Sequence, residues 1–113
     1  MKKIFIIASK MAWAEAQIKG DYRSPSLQDE GFIHCSLIHQ VLGVAERRFR
    51  GHQDLILLSI DESMVSAPIK YEGREGNAFP HIYGPLNLSA VVEVLPFSEG
   101  SEGFQLPEAL RPR

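Results

Sequence analysis

His34, Cys35 and Ser36 place an imidazole, a thiol and a hydroxyl on three consecutive residues. His81 and Tyr83 add two polar rings in the segment Phe79-Pro80-His81-Ile82-Tyr83-Gly84-Pro85. Each of these groups can hold or move a proton, and each can hydrogen-bond a ligand. Side chains of an extended chain alternate between two faces, so His34 and Ser36 share one face and Cys35 takes the other. A Cys–His nucleophile pair needs hydrogen-bond reach, which this alternation denies. Cys35 therefore reads as a small buried hydrophobe. His81 and Tyr83 share a face by the same rule, although Pro80 and Pro85 argue against a regular strand.

Two readings of His34 stand side by side. A buried imidazole between Ile33 and Cys35 is costly unless its nitrogens find partners. Backbone partners would make it a core histidine; a cleft would make it a site residue. Ser36 favours the cleft, because it lies at an expected strand-to-helix junction whose free N–H groups can receive a pyrophosphate. His81 and Tyr83 read either as the rim of the same cleft or as a structural loop in which Tyr83 caps the core. The four histidines and one cysteine show neither His-x-x-x-His nor Cys-x-x-Cys spacing, so no transition-metal site is expected. Asp29-Glu30 and Asp61-Glu62 read as turn and surface carboxylates. Arg47, Arg48 and Arg50 read as a solvated helix end, with an RNA contact as the lesser alternative. Arg23 and Arg74 are loop cations of a kind that binds phosphate.

The surrounding chain must position these groups. Ile4 to Ala8 is a continuous apolar run, which suits a strand covered on both faces. Ser9 predicts an N-cap and a helix from about Lys10 to Ile18, stopping at Gly20. Trp13 shares a face with Ala12 and Ala16 and reads as a core anchor. Asp21 to Glu30 contains Ser24-Pro25-Ser26 and reads as a loop, with a short extended piece at Tyr22-Arg23. Gly31 to Cys35 is the second strand, and Ser36 predicts the next N-cap. Ile38, Val41, Leu42, Ala45 and Phe49 form an amphipathic stripe, closed by arginines in the last turn and Gly51. Leu55 to Ile60 is the strongest strand and is expected at the centre of a sheet. Glu62 to Val65 reads as a turn, Pro68 to Glu72 as a shorter strand and Gly73 to Asn77 as a mobile loop. Phe79 to Leu86 reads as a rigid segment and Ala90 to Phe97 as the last strand. Ser98 to Arg113 shows no clear period. The result is one α+β domain over 1–97, with two helices, and a tail over 98–113.

The bulk numbers narrow the function classes. At 113 residues, 44% hydrophobic and 23% charged, the chain suits a single globular core. A net charge of -2 gives no general attraction to nucleic acid or acidic membranes. The apolar run after Lys2-Lys3 is shorter than the roughly 7–15 residues of an export signal. No stretch reaches the roughly 20 apolar residues of a membrane span. One cysteine rules out an internal disulfide, so a cytoplasmic location is expected.

Three stretches carry a resemblance: Gly31-Phe32-Ile33-His34-Cys35-Ser36, Asp54 to Asp61, and Phe79 to Leu86. Together they resemble the DUF952 family of small bacterial and plant proteins, over about residues 3–97. The resemblance implies an ADP-ribosyltransferase-like fold, a split mixed β-sheet around an NAD-sized cleft. The element order is also similar to that of RNA 2′-phosphotransferases, and His34 and Ser36 match a Val-His-Leu-Ser-like strand of those enzymes. That match implies that His34 holds the nicotinamide ribose region of NAD. Where those enzymes carry a His-Gly-Thr-like motif in the first strand, this chain has Phe5-Ile6-Ile7-Ala8. No glutamate lies between Phe79 and Tyr83, and Glu72 is the stand-in for a catalytic carboxylate. The implied site is His34, Ser36, His81 and Tyr83 around NAD, ADP-ribose or another nucleotide. It belongs either to a transferase or phosphotransferase, or to a non-catalytic module that binds a small molecule or a protein.

Overall fold

Two apolar runs, Ile4 to Ala8 and Leu55 to Ile60, become neighbouring strands covered on both sides. The structure, a computed structural model, describes residues 1–111. It begins β1 (Lys3–Ser9), α1 (Lys10–Lys19), β2 (Asp21–Tyr22), α2 (Pro25–Glu30) and β3 (Ile33–His34). Next come α3 (Val41–Arg48), β4 (Leu55–Asp61), β5 (Ile69–Arg74) and β6 (Asn77–Ile82). The remainder is β7 (Leu86–Asn87), β8 (Val91–Pro96), β9 (Glu99–Gly100) and β10 (Gly103–Phe104). The α+β class holds, with strands predominating and three α-helices where two are expected.

One sheet has the order β1-β4-β8, with β4 in the centre and every β4 residue buried. Ile4, Ile6, Ile56, Leu58 and Ile60 pack on one of its faces, against Ile33, Cys35 and Ile82. Phe5, Leu55 and Leu57 pack on the other, against Val41 and Ala45 of α3. A second sheet has the order β3-β6-β5. The two sheets meet at one bridge, where Phe5 and Ser36 exchange backbone hydrogen bonds of 2.8 Å. Every strand pair among the described residues is antiparallel, which corrects the expected mixed sheet. Glu75 and Gly76 turn the chain between β5 and β6, so the expected mobile loop is the tip of a hairpin.

β6 runs through Pro80, against expectation, and does so in the middle of its sheet. The Pro80 carbonyl accepts from the Cys35 N–H at 3.0 Å, so the backbone groups of residue 80 point to the β3 side. The donor that proline lacks is therefore not needed by β5.

The helices depart from expectation in two places. α1 is capped as expected: the Ala12 N–H donates to Ser9 Oγ at 3.0 Å, and Gly20 ends it. α2 occupies the stretch read as a loop. Pro25 stands at its first turn after Ser24, and Gly31 closes it in the left-handed region at φ 88°. The second departure is Ser36, which caps no helix, because its backbone is committed to Phe5. A 3-10 turn over Ile38–Gln40 intervenes before α3, and Gln40 Oε1 accepts from the Leu37 N–H at 2.8 Å. That turn breaks the helical phase, leaving Ile38 exposed rather than on the buried stripe.

The segment read as a tail carries structure up to residue 111. β9 and β10 form a short hairpin, and Phe104 is buried beside Phe97. Pro112 and Arg113, the end of the expected tail, lie outside the described residues.

One side chain in the core is poorly served. Ser59 is fully buried in β4, and among the described residues its Oγ has no hydrogen-bond partner. An unpartnered buried hydroxyl has lost its water for no return. Ser59→Ala is expected to be neutral or stabilising, by up to about 1 kcal/mol, in urea unfolding. A loss of stability larger than that would show that the hydroxyl has a partner.

Candidate functional site

His34 and His81 are direct partners across β3 and β6. The Cys35-to-Pro80 bond turns the backbone of residue 80 towards β3, so that of residue 81 faces β5. The two histidines therefore form a non-hydrogen-bonded pair, the kind whose side chains approach most closely. Their ring centroids lie 5.2 Å apart, nearly perpendicular. Phe32, on the same face, stacks on His81 at 4.1 Å and meets the edge of His34 at 4.9 Å.

Each histidine is held by a carboxylate. His34 Nε2 lies 2.9 Å from Glu30 Oε2, and His81 Nδ1 lies 2.8 Å from Glu72 Oε1. An ionised carboxylate only accepts, so in each pair the imidazole nitrogen is the donor. These bonds leave Nδ1 of His34 and Nε2 of His81 to meet a ligand. Tyr83 also donates to Glu72 Oε1. The Tyr83 and His81 hydrogen bonds hold the Glu72 carboxyl below its ordinary value. The His34 hydrogen bond, with smaller help from the Arg48 charge, does the same for Glu30.

Glu72 thus titrates below the ordinary value of 4.5, and its bonds stabilise the fold above that pH and are lost as pH falls through the lower value. Tyr83 is the larger cause. In Tyr83→Phe the Glu72 carboxyl should titrate closer to its ordinary value, read by carbon NMR. An unchanged titration would remove Tyr83 from that role.

The histidine-bearing face continues into the α3 side of the first sheet. Cross-strand partners share a face, and Ser36 pairs with Phe5, whose side chain packs towards α3. Over this junction opens a cleft of about 600 Å³. His34, Ser36, His81, Glu72 and Phe79 line it from the strands, and Arg47, Arg48 and Phe49 from the end of α3. Ser24, just before α2, and Ser26 within it also line the cleft.

Of the four residues expected at the site, His34, Ser36 and His81 line the cleft. Tyr83 is not among its lining residues; it supports the site through Glu72. Ser36 lines the cleft as a largely buried residue, with no helix start beneath it to receive an anion. Cys35 lies in the core cluster and also borders the cleft, and burial pushes its thiol well up. Arg23 is paired with Asp21 at 3.0 Å. Among the described residues, no group of three His, Cys, Asp or Glu side chains is arranged to hold a metal ion.

The place of the arginines in the cleft is what sequence reasoning missed. Arg47 and Arg48 are exposed in the last turn of α3, as a solvated helix end should be, yet both line the cleft. Cations off the apolar stripe gave no signal of that.

An antiparallel α+β scaffold with a cleft between a histidine-bearing sheet and a helix end defines the class of protein. Residues 7–94 match the family described as "Protein of unknown function (DUF952)", and the chain belongs to that family. It is similar to the crystal structure of protein CC0527 from Caulobacter crescentus, with a TM-score of 0.87 and 32% identity. That match covers 96% of this chain and 98% of the other. The solution NMR structure of CC0527 matches with a TM-score of 0.77 at the same 32% identity, over 96% of this chain and 93% of the other. No match is found among curated proteins. No helix of the described residues is long and apolar enough to cross a membrane.

Proposed function

We propose that the protein binds a nucleotide of the NAD or ADP-ribose type in the cleft between β3, β6 and α3. One observation carries the reading: His34 and His81 face each other across two strands and both line the cleft. The cleft volume of about 600 Å³ lies within the roughly 300–1,000 Å³ of small-molecule sites. Phe49 and Phe79 offer apolar walls for a base, and the arginines suit phosphates. The resemblance to ADP-ribosyltransferase-like folds and to RNA 2′-phosphotransferases points the same way, although the antiparallel sheets depart from it. A single buried cysteine fits a cytoplasmic setting.

Calorimetric titration with NAD and with ADP-ribose tests the reading. Binding is expected, weakened about tenfold in His34→Ala through the loss of one ligand hydrogen bond. His34 is partly exposed, so that variant should fold. Absence of heat with either ligand at millimolar concentration would sink the proposal.

Glu72 favours a catalytic role over a purely binding one. In ADP-ribosyl transfer the bond from ribose C1′ to the nicotinamide nitrogen breaks, and its electron pair leaves with neutral nicotinamide. Positive charge develops on the ribose, and an acceptor nucleophile such as water bonds to C1′ in place of nicotinamide. A carboxylate kept ionised at the cleft wall, as Glu72 is, stabilises that charge. Release of nicotinamide by wild type and its loss in Glu72→Gln, with NAD still bound, would support the enzyme. Binding without release would leave the non-catalytic module.

A further inference from the structure

We infer that Arg47 and Arg48 form the phosphate seat of the cleft, taking a pyrophosphate or phosphate ester of the ligand at the C-terminal end of α3. This rests on the nucleotide reading and gives the ligand a direction: phosphates towards α3, sugar and base towards the His34–His81 wall.

Two arginines end this helix and Arg50 follows just beyond it, and the structure treats the three differently. Arg50 lies 3.8 Å from Glu46 and 3.6 Å from Glu99, so its charge is already answered. Among the described residues neither Arg47 nor Arg48 has a carboxylate within 4.0 Å, and both line the cleft. Glu30, the carboxylate that feels the Arg48 charge, is taken by His34 at 2.9 Å. Two guanidinium groups without a close carboxylate thus line a cleft that His34 and His81 also line.

Gly43 strengthens the assignment. It lies inside α3, where glycine is among the poorest helix formers. A Cβ built on Gly43 would stand 3.2 Å from Arg47 Nη1. The absent side chain leaves room for the Arg47 guanidinium to lie back along the helix. Backbone cannot be what attracts the phosphate here, because the C-terminal end of a helix carries partial negative charge. The guanidinium forks must do it, and their planar donors match phosphate oxygens.

The test titrates sodium pyrophosphate and ADP-ribose separately into wild type, Arg47→Ala, Arg48→Ala, the double variant and Arg50→Ala. Pyrophosphate affinity should fall about tenfold or more in each single variant, and further in the double. Arg50→Ala should leave it unchanged. Gly43→Ala should weaken pyrophosphate binding while melting no lower than wild type, which a purely structural glycine would not do. Equal pyrophosphate binding by wild type and double variant, or none by wild type, would overturn the inference. If ADP-ribose binding depends on His34 and not on the arginines, the nucleotide reading stands and the phosphate seat falls. If pyrophosphate binds through the arginines and neither NAD nor ADP-ribose binds, the seat stands and the nucleotide reading falls.

Discussion

Leu58→Ala is expected to lower the free energy of unfolding by about 3 kcal/mol, within the roughly 2–5 kcal/mol of such core truncations. Leu58 is fully buried at the centre of β4, opposite Ile6 on one side and Val94 on the other. It belongs to the cluster that joins the first sheet to Ile33 and Ile82 of the second. The void left by three carbon atoms cannot close, because strands on both flanks fix the backbone. Domains of this size have a total stability of about 5–15 kcal/mol, so the change is a large fraction of it. Urea unfolding measures it, with Ile18→Ala as the contrast: Ile18 is 87% exposed on α1, and its loss should cost less than about 0.5 kcal/mol. If the two variants unfold at similar urea concentrations, the buried seam between the sheets is not the core.

The same seam explains what was legible in the sequence. A strand covered on both faces must be apolar throughout, so Leu55 to Ile60 announced both itself and its central place. Ser9 announced α1 because a cap is a local hydrogen bond between residues three apart. Alternation placed His34 on the opposite face from Cys35, and that needed no tertiary knowledge. What stayed hidden depended on partners distant in the chain. Ser36 has the chemistry of an N-cap, but Phe5, far earlier, takes its backbone. Pro80 forbids a regular central strand only if β5 needs a donor at that point, and the backbone of residue 80 points the other way, towards Cys35. Tyr83 shares the His81 face as expected, yet Glu72 holds it back as a support. α2 was a different failure: Ser24-Pro25 and Gly31 are a helix start and stop, and the polar residues between them masked both.

Phe104→Ala should lower stability by about 3–5 kcal/mol and loosen the cleft as well. Phe104 is 6% exposed and stacks on Phe97, with ring centroids 5.2 Å apart. Its N–H donates to Glu46 Oε1 at 3.2 Å, next in sequence to Arg47. Gly103 permits this approach: its φ is 94°, and a Cβ there would come within 2.9 Å of the same oxygen. The hairpin therefore pins the outer side of α3 while Val41 and Ala45 hold the inner side. Without Phe104, α3 keeps its contacts to β1 and loses its outer clamp, so the two arginines become less fixed over the cleft. Two measurements separate the effects. Urea unfolding reads the lost burial, and pyrophosphate titration of the folded variant reads the freed arginines. A chain ending at residue 97 should show both losses at once, because Phe97 and α3 would then face water. If that shortened chain unfolds at the same urea concentration as the full one, the segment beyond Phe97 is a tail after all. If it unfolds earlier, the cleft and its supporting hairpin form one structural unit, and the core that holds α3 extends beyond residue 97.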